Sequence, residues 1–335
     1  MKKKIKVVFI MLIIIMSISI ISVSYFKKEK KTKYLAYIPN AAEGTISVID
    51  SLSNKVIDTI KVGQSTSHGI ASTPDGKKIY TGNLEGGQIF IYDVDSKKLI
   101  KTIDTGRNLH GIDITPDGKY VLITSGDLKV GKMYNYIQII DTQTDEIIKT
   151  ILSNQNSPAH IDFSRDSKLA FVTNAMSNSI SIIDVEKGQI LANIGVGLIP
   201  NETELSPDGK YIYVANVQDG SISIVDIELR KQIKKIQVGQ GTHSIAVSND
   251  GKYIWTTNRF SNDVRVIDIE KERVIKIIKT NGQANHIAVL PNSDFIYVTN
   301  LKSNEVSIID MKTFEIVDSI NVGSEPHEIE FVKIN

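Results

Sequence analysis

The six histidines of this chain recur at one place in a repeated pattern, and residues of this type could form a binding or metal site. Each histidine stands five or six residues before a position equivalent to Pro207, where the first strand of a repeat begins. One repeat carries Asn201 and Glu202 there instead. Imidazole and carboxylate are common ligands of Zn²⁺ and Cu²⁺. The candidate ligand-binding residues are His68, His110, His160, Asn201, Glu202, His243, His286 and His327, and all of them except Asn201 are candidate metal ligands.

Two observations weigh against a metal site in this pattern. The candidates fall into two adjacent columns, one with His68, His110, His243 and His327 and the next with His160, His286 and Glu202. Adjacent residues of a regular strand point to opposite faces. A ring of seven strands could also be too wide for one ion with bonds of about 2 Å. A ligand or metal site and a recurrent histidine that only ties loops together therefore both stay open.

The elements that position these residues are seven sequence repeats. A strand pattern I-x-[VI]-[IV]-D recurs along the chain, and its closing aspartates are separated by 43, 48, 43, 42, 42 and 42 residues. Each repeat supplies four short β-rich runs, which in one repeat cover 201–206, 210–216, 221–226 and 231–238. Pro-Asp-Gly and Asn- or Asp-containing turns separate the runs. The closing residues are Asp50, Asp93, Asp141, Asp184, Asp226, Asp268 and Asp310.

A period near 42 residues with four strands predicts an all-β, seven-bladed β-propeller of four-stranded antiparallel blades over residues 34–335. The pattern begins with a second strand at Tyr34–Asn40 and ends with a first strand at His327–Val332. We therefore expect the C-terminal strand to pair with the N-terminal strands and close the ring. Because first strands line the central channel, the histidines are expected to converge at its mouth.

One recurring motif points to a known family. The motif reads [YF]-[VIT]-x-N and is followed by S-I-S-[IV]-[IV]-D, as in Phe171–Asn174, Tyr213–Asn216 and Tyr297–Asn300. It resembles the YVTN-repeat (YncE-like) seven-bladed β-propeller family across residues 34–335. The resemblance implies the propeller fold. Members of the family include surface-layer proteins, secreted binding proteins and, more distantly, lactonases and the propeller of nitrous-oxide reductase.

Residues 1–33 form a separate region before the repeats. Four lysines precede Val7–Phe26, a stretch of 20 residues without a charge that would span about 30 Å as a helix. This pattern predicts an N-terminal hydrophobic helix followed by a short basic linker. The helix is either a signal anchor in the membrane or a signal peptide cleaved after Ser24. Both alternatives place the propeller outside the cytoplasm, anchored in the cell membrane or, if cleaved, secreted.

Composition excludes several kinds of site. The chain has no cysteine, which rules out disulfides, thiolate metal sites and c-type haem attachment. Residues 1–33 hold nine lysines and one glutamate, which leaves a net charge of −7 on residues 34–335. This acidic balance argues against nucleic-acid binding. We find no GxSxG, HExxH or P-loop motif.

Three functions remain open on the sequence alone. The first is an extracytoplasmic propeller that binds a small ligand or a protein partner at the histidine-lined mouth. The second is an oxidoreductase or metal-handling protein with a transition metal, Cu or Zn, at the same residues. The third is a lactonase-like hydrolase, which rests on fold analogy alone. We expect a monomer. Imidazole nitrogens within about 4–5 Å of a common point would favour the metal.

Overall fold

The described part of the chain consists almost entirely of β-strands and the turns between them. The computed structural model describes residues 32–63, 69–83, 86–106, 108–125 and 135–334. Within these ranges there are 28 strands and a single turn of 3-10 helix at Ala175–Ser177. None of these ranges contains a helix long and apolar enough to cross a membrane. The apolar stretch Val7–Phe26 lies outside the described residues, so its predicted helix stays a prediction.

The strands form seven antiparallel, four-stranded sheets, and each sheet is one blade. Blade 1 contains β1 (Lys33–Asn40), β2 (Thr45–Asp50) and β3 (Lys55–Lys61). Blade 2 contains β4 (Ile70–Ser72), β5 (Lys78–Asn83), β6 (Gln88–Asp93) and β7 (Leu99–Asp104). Blade 3 contains β8 (Leu109–Ile114), β9 (Tyr120–Ser125), β10 (Tyr136–Asp141) and β11 (Glu146–Leu152). Blades 4 and 5 contain β12 (Pro158–Phe163), β13 (Leu169–Asn174), β14 (Ser179–Asp184), β15 (Gln189–Gly195); and β16 (Pro200–Leu205), β17 (Tyr211–Asn216), β18 (Ser221–Asp226), β19 (Lys231–Gln237). Blades 6 and 7 contain β20 (Thr242–Val247), β21 (Tyr253–Asn258), β22 (Asp263–Asp268), β23 (Arg273–Lys279); and β24 (Ala284–Val289), β25 (Phe295–Asn300), β26 (Glu305–Asp310), β27 (Glu315–Asn321).

The C-terminal strand β28 (Glu330–Ile334) completes blade 1. It pairs antiparallel with β1, from Lys33 opposite Ile334 to Tyr37 opposite Glu330. The sheet order is therefore β28-β1-β2-β3, which confirms the predicted closure of the ring. The regular strand begins three residues later than the sequence pattern indicated, and the N–H of His327 donates to the carbonyl of Pro39 at 2.9 Å.

The core is divided among the seven interfaces between neighbouring blades. Seven apolar clusters are described, one for each adjacent pair. The aromatic residue that recurs in the second strand is buried at these interfaces, as Tyr37 is against Ile70 and Ile79 of the next blade. Because both faces of each blade are covered, the middle strands are apolar on both sides. The first strands of adjacent blades meet around the channel.

The recurring polar residues hold the strands and turns together. The carboxylate of Asp226 accepts the N–H of Leu229 at 2.8 Å, as the turn prediction required. The buried amide of Asn216 donates to the hydroxyls of Ser221 and Ser223, which joins the second strand to the third. The Asn174 backbone is extended, with φ −122°. The recurring asparagine therefore has a structural role, in which its amide group joins two strands of the blade.

Candidate functional site

Five imidazoles lie together where the innermost strands begin, at the mouth of the central channel. Their ring centroids are separated by 4.5 Å for His286 and His327, 4.9 Å for His243 and His286, and 5.2 Å for His160 and His286. His110 lies 5.3 Å from His160, and His327 lies 6.4 Å from His243. We call these five residues the mouth cluster. His68 lies outside the described residues.

Irregular strand starts explain how two adjacent sequence columns reach one cluster. Five of the first strands, β8, β12, β16, β20 and β24, shift register against their second strands near the first residue. A bulge of this kind inserts a residue and re-aims the side chains around it. His243 from one column and His286 from the next therefore both enter the cluster. The alternation rule that argued against a common site does not apply at these positions.

The backbones of neighbouring first strands approach each other closely, which explains in part why some histidines lie in the first of the two sequence columns. In blade 3 the residue after His110 is Gly111, and a Cβ there would lie 2.3 Å from the carbonyl oxygen of Ala159. Gly69 has the same relation to Ile112, whose backbone nitrogen would be 2.8 Å from an added Cβ. In blades 2 and 3 the second column thus has no room for a side chain, and the histidine occupies the first column.

Two carboxylates contact the cluster from the second column. Nδ1 of His160 lies 3.1 Å from Oε1 of Glu328, and Nδ1 of His286 lies 3.4 Å from Oε2 of Glu202. The other oxygen of Glu328 accepts the backbone N–H of Ile70 at 3.0 Å. The sequence analysis singled out Glu202 but missed Glu328, although Glu328 directly follows a candidate histidine and occupies the same column as Glu202.

Amide and guanidinium groups complete the mouth. The amide of Asn201 donates to the carbonyl of His243 at 3.1 Å. Nε of Arg259 donates to the side-chain oxygen of Asn285 at 2.7 Å, and its Nη2 lies 3.5 Å from Nε2 of His327. Burial lowers the pKa of Arg259 to about 10, so its guanidinium remains charged at neutral pH. Arg259 and Asn285 were not among the sequence candidates.

Three imidazoles of the cluster, those of His160, His243 and His286, are held in the neutral form. Burial lowers the pKa of His160, and it lowers the pKa of His243 and His286 further. Repulsion from the Arg259 guanidinium acts in the same direction on all three. The side chains of these residues are at most 6% exposed. A neutral imidazole keeps a nitrogen lone pair, which is the form that binds metals.

Three residues of the site approach metal-ligand geometry. One ligand atom from each of His160, His286 and Glu328 lies within 4.8 Å of the other two. Three such atoms are at most about 2.8 Å from a common point, against bonds of about 2.0–2.2 Å to zinc. In the described part of the chain, Nε2 of His160 and Nε2 of His286 have no hydrogen-bond partner. If each of the three ligand atoms moved toward the common point by less than about 1 Å, all three would bind one ion.

A second layer of acidic residues lies one pleat deeper in the channel. Two residues after the second column, four first strands carry a carboxylate on the same face, since side chains alternate with a period of two. We call these four residues the carboxylate layer. They line a cavity of about 390 Å³ together with Glu202 and Glu328. The members are Asp113, Asp162, Glu204 and Glu330.

Burial and mutual repulsion keep protons on these acids. Burial raises the pKa of Asp162, Glu202 and Glu330 to about 7. It raises the pKa of Asp113, Glu204 and Glu328 well above the usual range, and neighbouring carboxylates add to the effect. The sequence analysis missed this layer because an acidic residue in a strand normally faces solvent. The sequence feature that would have revealed this layer is the acidic residue at the same position of four first strands.

Comparison with protein families agrees with the closed ring of blades. The profile of the YNCE-like beta-propeller family matches residues 69–206, and that of the cytochrome D1 heme domain matches residues 165–285. Residues 69–206 of the chain are thus similar to the YncE-like β-propeller family, and the ring has the seven blades that this resemblance implies. The resemblance expected from the motif Tyr297–Asn300 is thereby confirmed.

Relatives of this YncE-like propeller differ in their descriptions. Antigen Lp49 of Leptospira interrogans is 28% identical over 167 residues, which cover 46% of this chain and 36% of that protein. The propeller therefore spans well under half of that relative's length. The periplasmic gluconolactonase PpgL of Pseudomonas aeruginosa aligns with a TM-score of 0.76 and 16% identity, covering 91% of this chain and all of that one (100%). Dihydro-heme d1 dehydrogenase NirN aligns with a TM-score of 0.67 and 17% identity, covering 85% and 62%. Identities this low show the fold alone.

The propeller brings most of the predicted site residues together. His110, His160, His243, His286 and His327 form the mouth cluster, and Asn201 and Glu202 contact it. The imidazoles form a compact group instead of a wide ring. Whether the site binds a ligand or a metal stays a prediction at this point.

Proposed function

We propose that this YncE-like propeller binds a ligand at the histidine-lined mouth of its channel outside the cytoplasm, and that the ligand is a Zn²⁺ or Cu²⁺ ion. The observation that carries the proposal is the approach of His160, His286 and Glu328 to within 4.8 Å of one another. This separation meets the distance criterion drawn from the sequence. Imidazole and carboxylate ligands suit both ions.

The electrostatics of the mouth support the same proposal. The neutral imidazoles offer lone pairs without first releasing a proton. Glu328 keeps its proton in the absence of a positive charge, because burial raises its pKa well above the usual range. A cation bound beside it would favour the carboxylate, so metal binding is expected to release a proton. Three protein ligands also leave a coordination position open, which suits ion exchange or substrate binding in a metal-handling protein or an oxidoreductase.

Titration with metal tests the proposal. Protein purified without a histidine tag is expected to take up about one Zn²⁺ or Cu²⁺ per chain, measured by elemental analysis after gel filtration. The double variant His160→Asn/His286→Asn loses two of three ligands. We expect its affinity to fall by at least about 100-fold, since loss of outer-shell partners alone lowers metal affinity by 10–100-fold.

The matched control is His110→Asn/His243→Asn, which changes two histidines of the same cluster outside the three-residue set. It is expected to keep its metal affinity within about tenfold. Wild-type protein that holds under about 0.1 ion per chain after supplementation would remove the metal from the proposal. Equal losses in both double variants would place the ion elsewhere in the cluster.

The extracytoplasmic location is a separate part of the proposal, supported by the sequence Val7–Phe26. We expect the protein to sediment with membranes, to resist extraction by alkaline carbonate and to be cleaved when intact cells lacking an outer barrier are treated with protease. Sequencing of the mature N-terminus separates an anchor from cleavage after Ser24. A protease-protected protein in the cytosolic fraction would contradict both alternatives.

A further inference from the structure

The deeper channel has an acidic lining without a basic counterpart. Six carboxylic acids line the cavity, four from the carboxylate layer together with Glu202 and Glu328, and its described lining contains no lysine or arginine. The guanidinium of Arg259 at the mouth contacts Asn285 and His327 instead. Carboxylates gathered in a buried space repel one another unless a positive charge joins them. The buried acids hold protons on their own, and a cation placed among them favours their ionised form, so the lining selects a cation and disfavours an anion.

Unpartnered polar atoms belong to residues that line the same space. His160 and His286 line the cavity, are 6% and 3% exposed, and each has an Nε2 without a hydrogen-bond partner among the residues described. Oδ2 of Asp162 is also inaccessible to water and has no partner there. Buried polar atoms are normally hydrogen-bonded. The unmet hydrogen bonding of these lining residues supports a polar ligand in the cavity.

The geometry disfavours a single bare metal ion in the carboxylate layer. Across the described residues, the one group of three potential ligands close enough to hold an ion is at the mouth, and it contains no member of the layer. The cavity of about 390 Å³ corresponds to about a dozen water volumes at 30 Å³ each. A ligand of this site must therefore be larger than an ion and must reach carboxylates that stand apart.

The positions of the acids around the channel restrict the shape of a ligand that could contact them. Asp113, Asp162 and Glu204 occupy three consecutive blades, and Glu330 occupies blade 1, separated from them by blade 2 on one side and blades 6 and 7 on the other. At the equivalent positions blades 6 and 7 have Ala246 and Ala288, which also line the cavity. The lining thus combines two separated acidic areas with a small apolar wall.

We infer that the deeper channel binds a linear organic cation with two or more ammonium groups joined by methylene chains, a diamine or a polyamine. Each ammonium group has three N–H donors for carboxylate oxygens. One ammonium group would lie against Asp113, Asp162 and Glu204, and another against Glu330. The methylenes would pack on the alanine wall. The cavity is shared with the metal proposed at the mouth, since the ligands His160, His286 and Glu328 also line it, but no acid of the carboxylate layer is among those ligands.

Calorimetric titration of the full chain in EDTA, with 1,4-diaminobutane and spermidine as probes, tests the inference. We expect saturable one-to-one binding and a higher melting temperature with either probe. Glu204→Gln and Asp113→Asn are each expected to weaken binding at least tenfold, since each removes one charge-assisted contact in a buried site. The control Glu315→Gln, an exposed acid on the outer strand β27, is expected to bind like the wild type.

Ligand controls complete the design. Butylamine has a single ammonium group and is expected to bind at least tenfold more weakly than 1,4-diaminobutane. The inference is overturned if neither probe binds at about 1 mM, a concentration at which even a weak site of 4.1 kcal/mol is half filled. It is also overturned if Glu204→Gln binds like the wild type while its melting curve shows a folded protein. In a separate titration without EDTA, displacement of the diamine by an equimolar amount of Ca²⁺ would overturn the inference and identify a metal site in the carboxylate layer.

Discussion

A chain that lacks residues 326–335 should not fold into a stable ring. These residues include β28, which supplies the innermost strand of blade 1 and pairs with β1 over five residues. Phe331 packs edge-on against Tyr297 at a centroid distance of 5.2 Å, and Val332 is 1% exposed in the cluster between blades 1 and 2. The deletion exposes the edge of β1 and opens two blade interfaces at once. Because each blade is stabilised mainly by its neighbours, we expect the loss to spread through the ring.

The measurement is thermal unfolding followed by circular dichroism, together with gel filtration. We expect no cooperative transition, or soluble aggregates formed through the exposed strand edge. A suitable control moves residues 326–334 in front of Lys33 through a short Gly-Ser linker. Since Ile334 lies opposite Lys33, the relocated strand can form a hairpin with β1 and should restore folding. A truncated protein with the melting temperature of the full ring would refute the closure as a source of stability.

The stability of the metal-free protein should fall as the pH rises from 5.5 to 8.5. Burial raises the pKa of Glu330, Asp162 and Glu202 to about 7, and it raises the pKa of three further channel acids well above their usual range. Above about pH 4.5 the unfolded chain has released these protons while the folded protein still holds them. The folded state therefore binds more protons, and its stability declines with increasing pH until the channel acids ionise.

The buried histidines have the opposite effect at lower pH. His160, His243 and His286 have lowered pKa values, so below about pH 6.5 the unfolded chain takes up protons that the folded protein does not. This contribution favours folding at higher pH. It comes from three histidines, whereas six acids contribute a pH dependence of the opposite sign. Each proton of net difference changes the unfolding free energy by about 1.4 kcal/mol per pH unit. We expect the melting temperature to drop by about 5–15 °C between pH 5.5 and 8.5.

Melting curves in EDTA at constant ionic strength measure this slope. Glu204→Gln replaces one of the strongly shifted acids by a neutral isostere and should flatten the pH dependence. Glu315→Gln, which changes an exposed acid, should leave the slope as it is in the wild type. A melting temperature that is highest at pH 8.5 would show that the channel acids are already ionised at pH 5.5 and would contradict the assigned pKa directions.

The fold could be predicted in detail from the sequence because each repeat contains its own strand and turn patterns. The runs expected at 210–216 and 221–226 appear as β17 and β18, and the C-terminal strand closes blade 1. Turn residues such as Asp226 act locally, so their role can be inferred without knowledge of the rest of the chain. Convergence of the histidines followed from the same periodicity, since equivalent positions of a ring meet around its axis.

The composition of the site was harder to predict. The bulges that bring His243 and His286 into one cluster depend on hydrogen bonding between strands, which a sequence pattern does not specify. Glu328 and the carboxylate layer were missed because a glutamate or aspartate in a strand usually alternates toward solvent. In an innermost strand both faces are enclosed, so the same alternation directs Asp162 and Glu204 into the channel.

The bulged strand starts also bear on how this scaffold could be altered. In blades 4, 5 and 7 the strand start offers two adjacent positions beside the axis, at the point where the pairing of the sheet shifts register. Blade 5 uses Glu202 where blades 4 and 7 use His160 and His286, without a change in its strand arrangement. The mouth is therefore modular: its chemical groups can be exchanged one blade at a time, which makes the ring a template for designed sites of mixed composition.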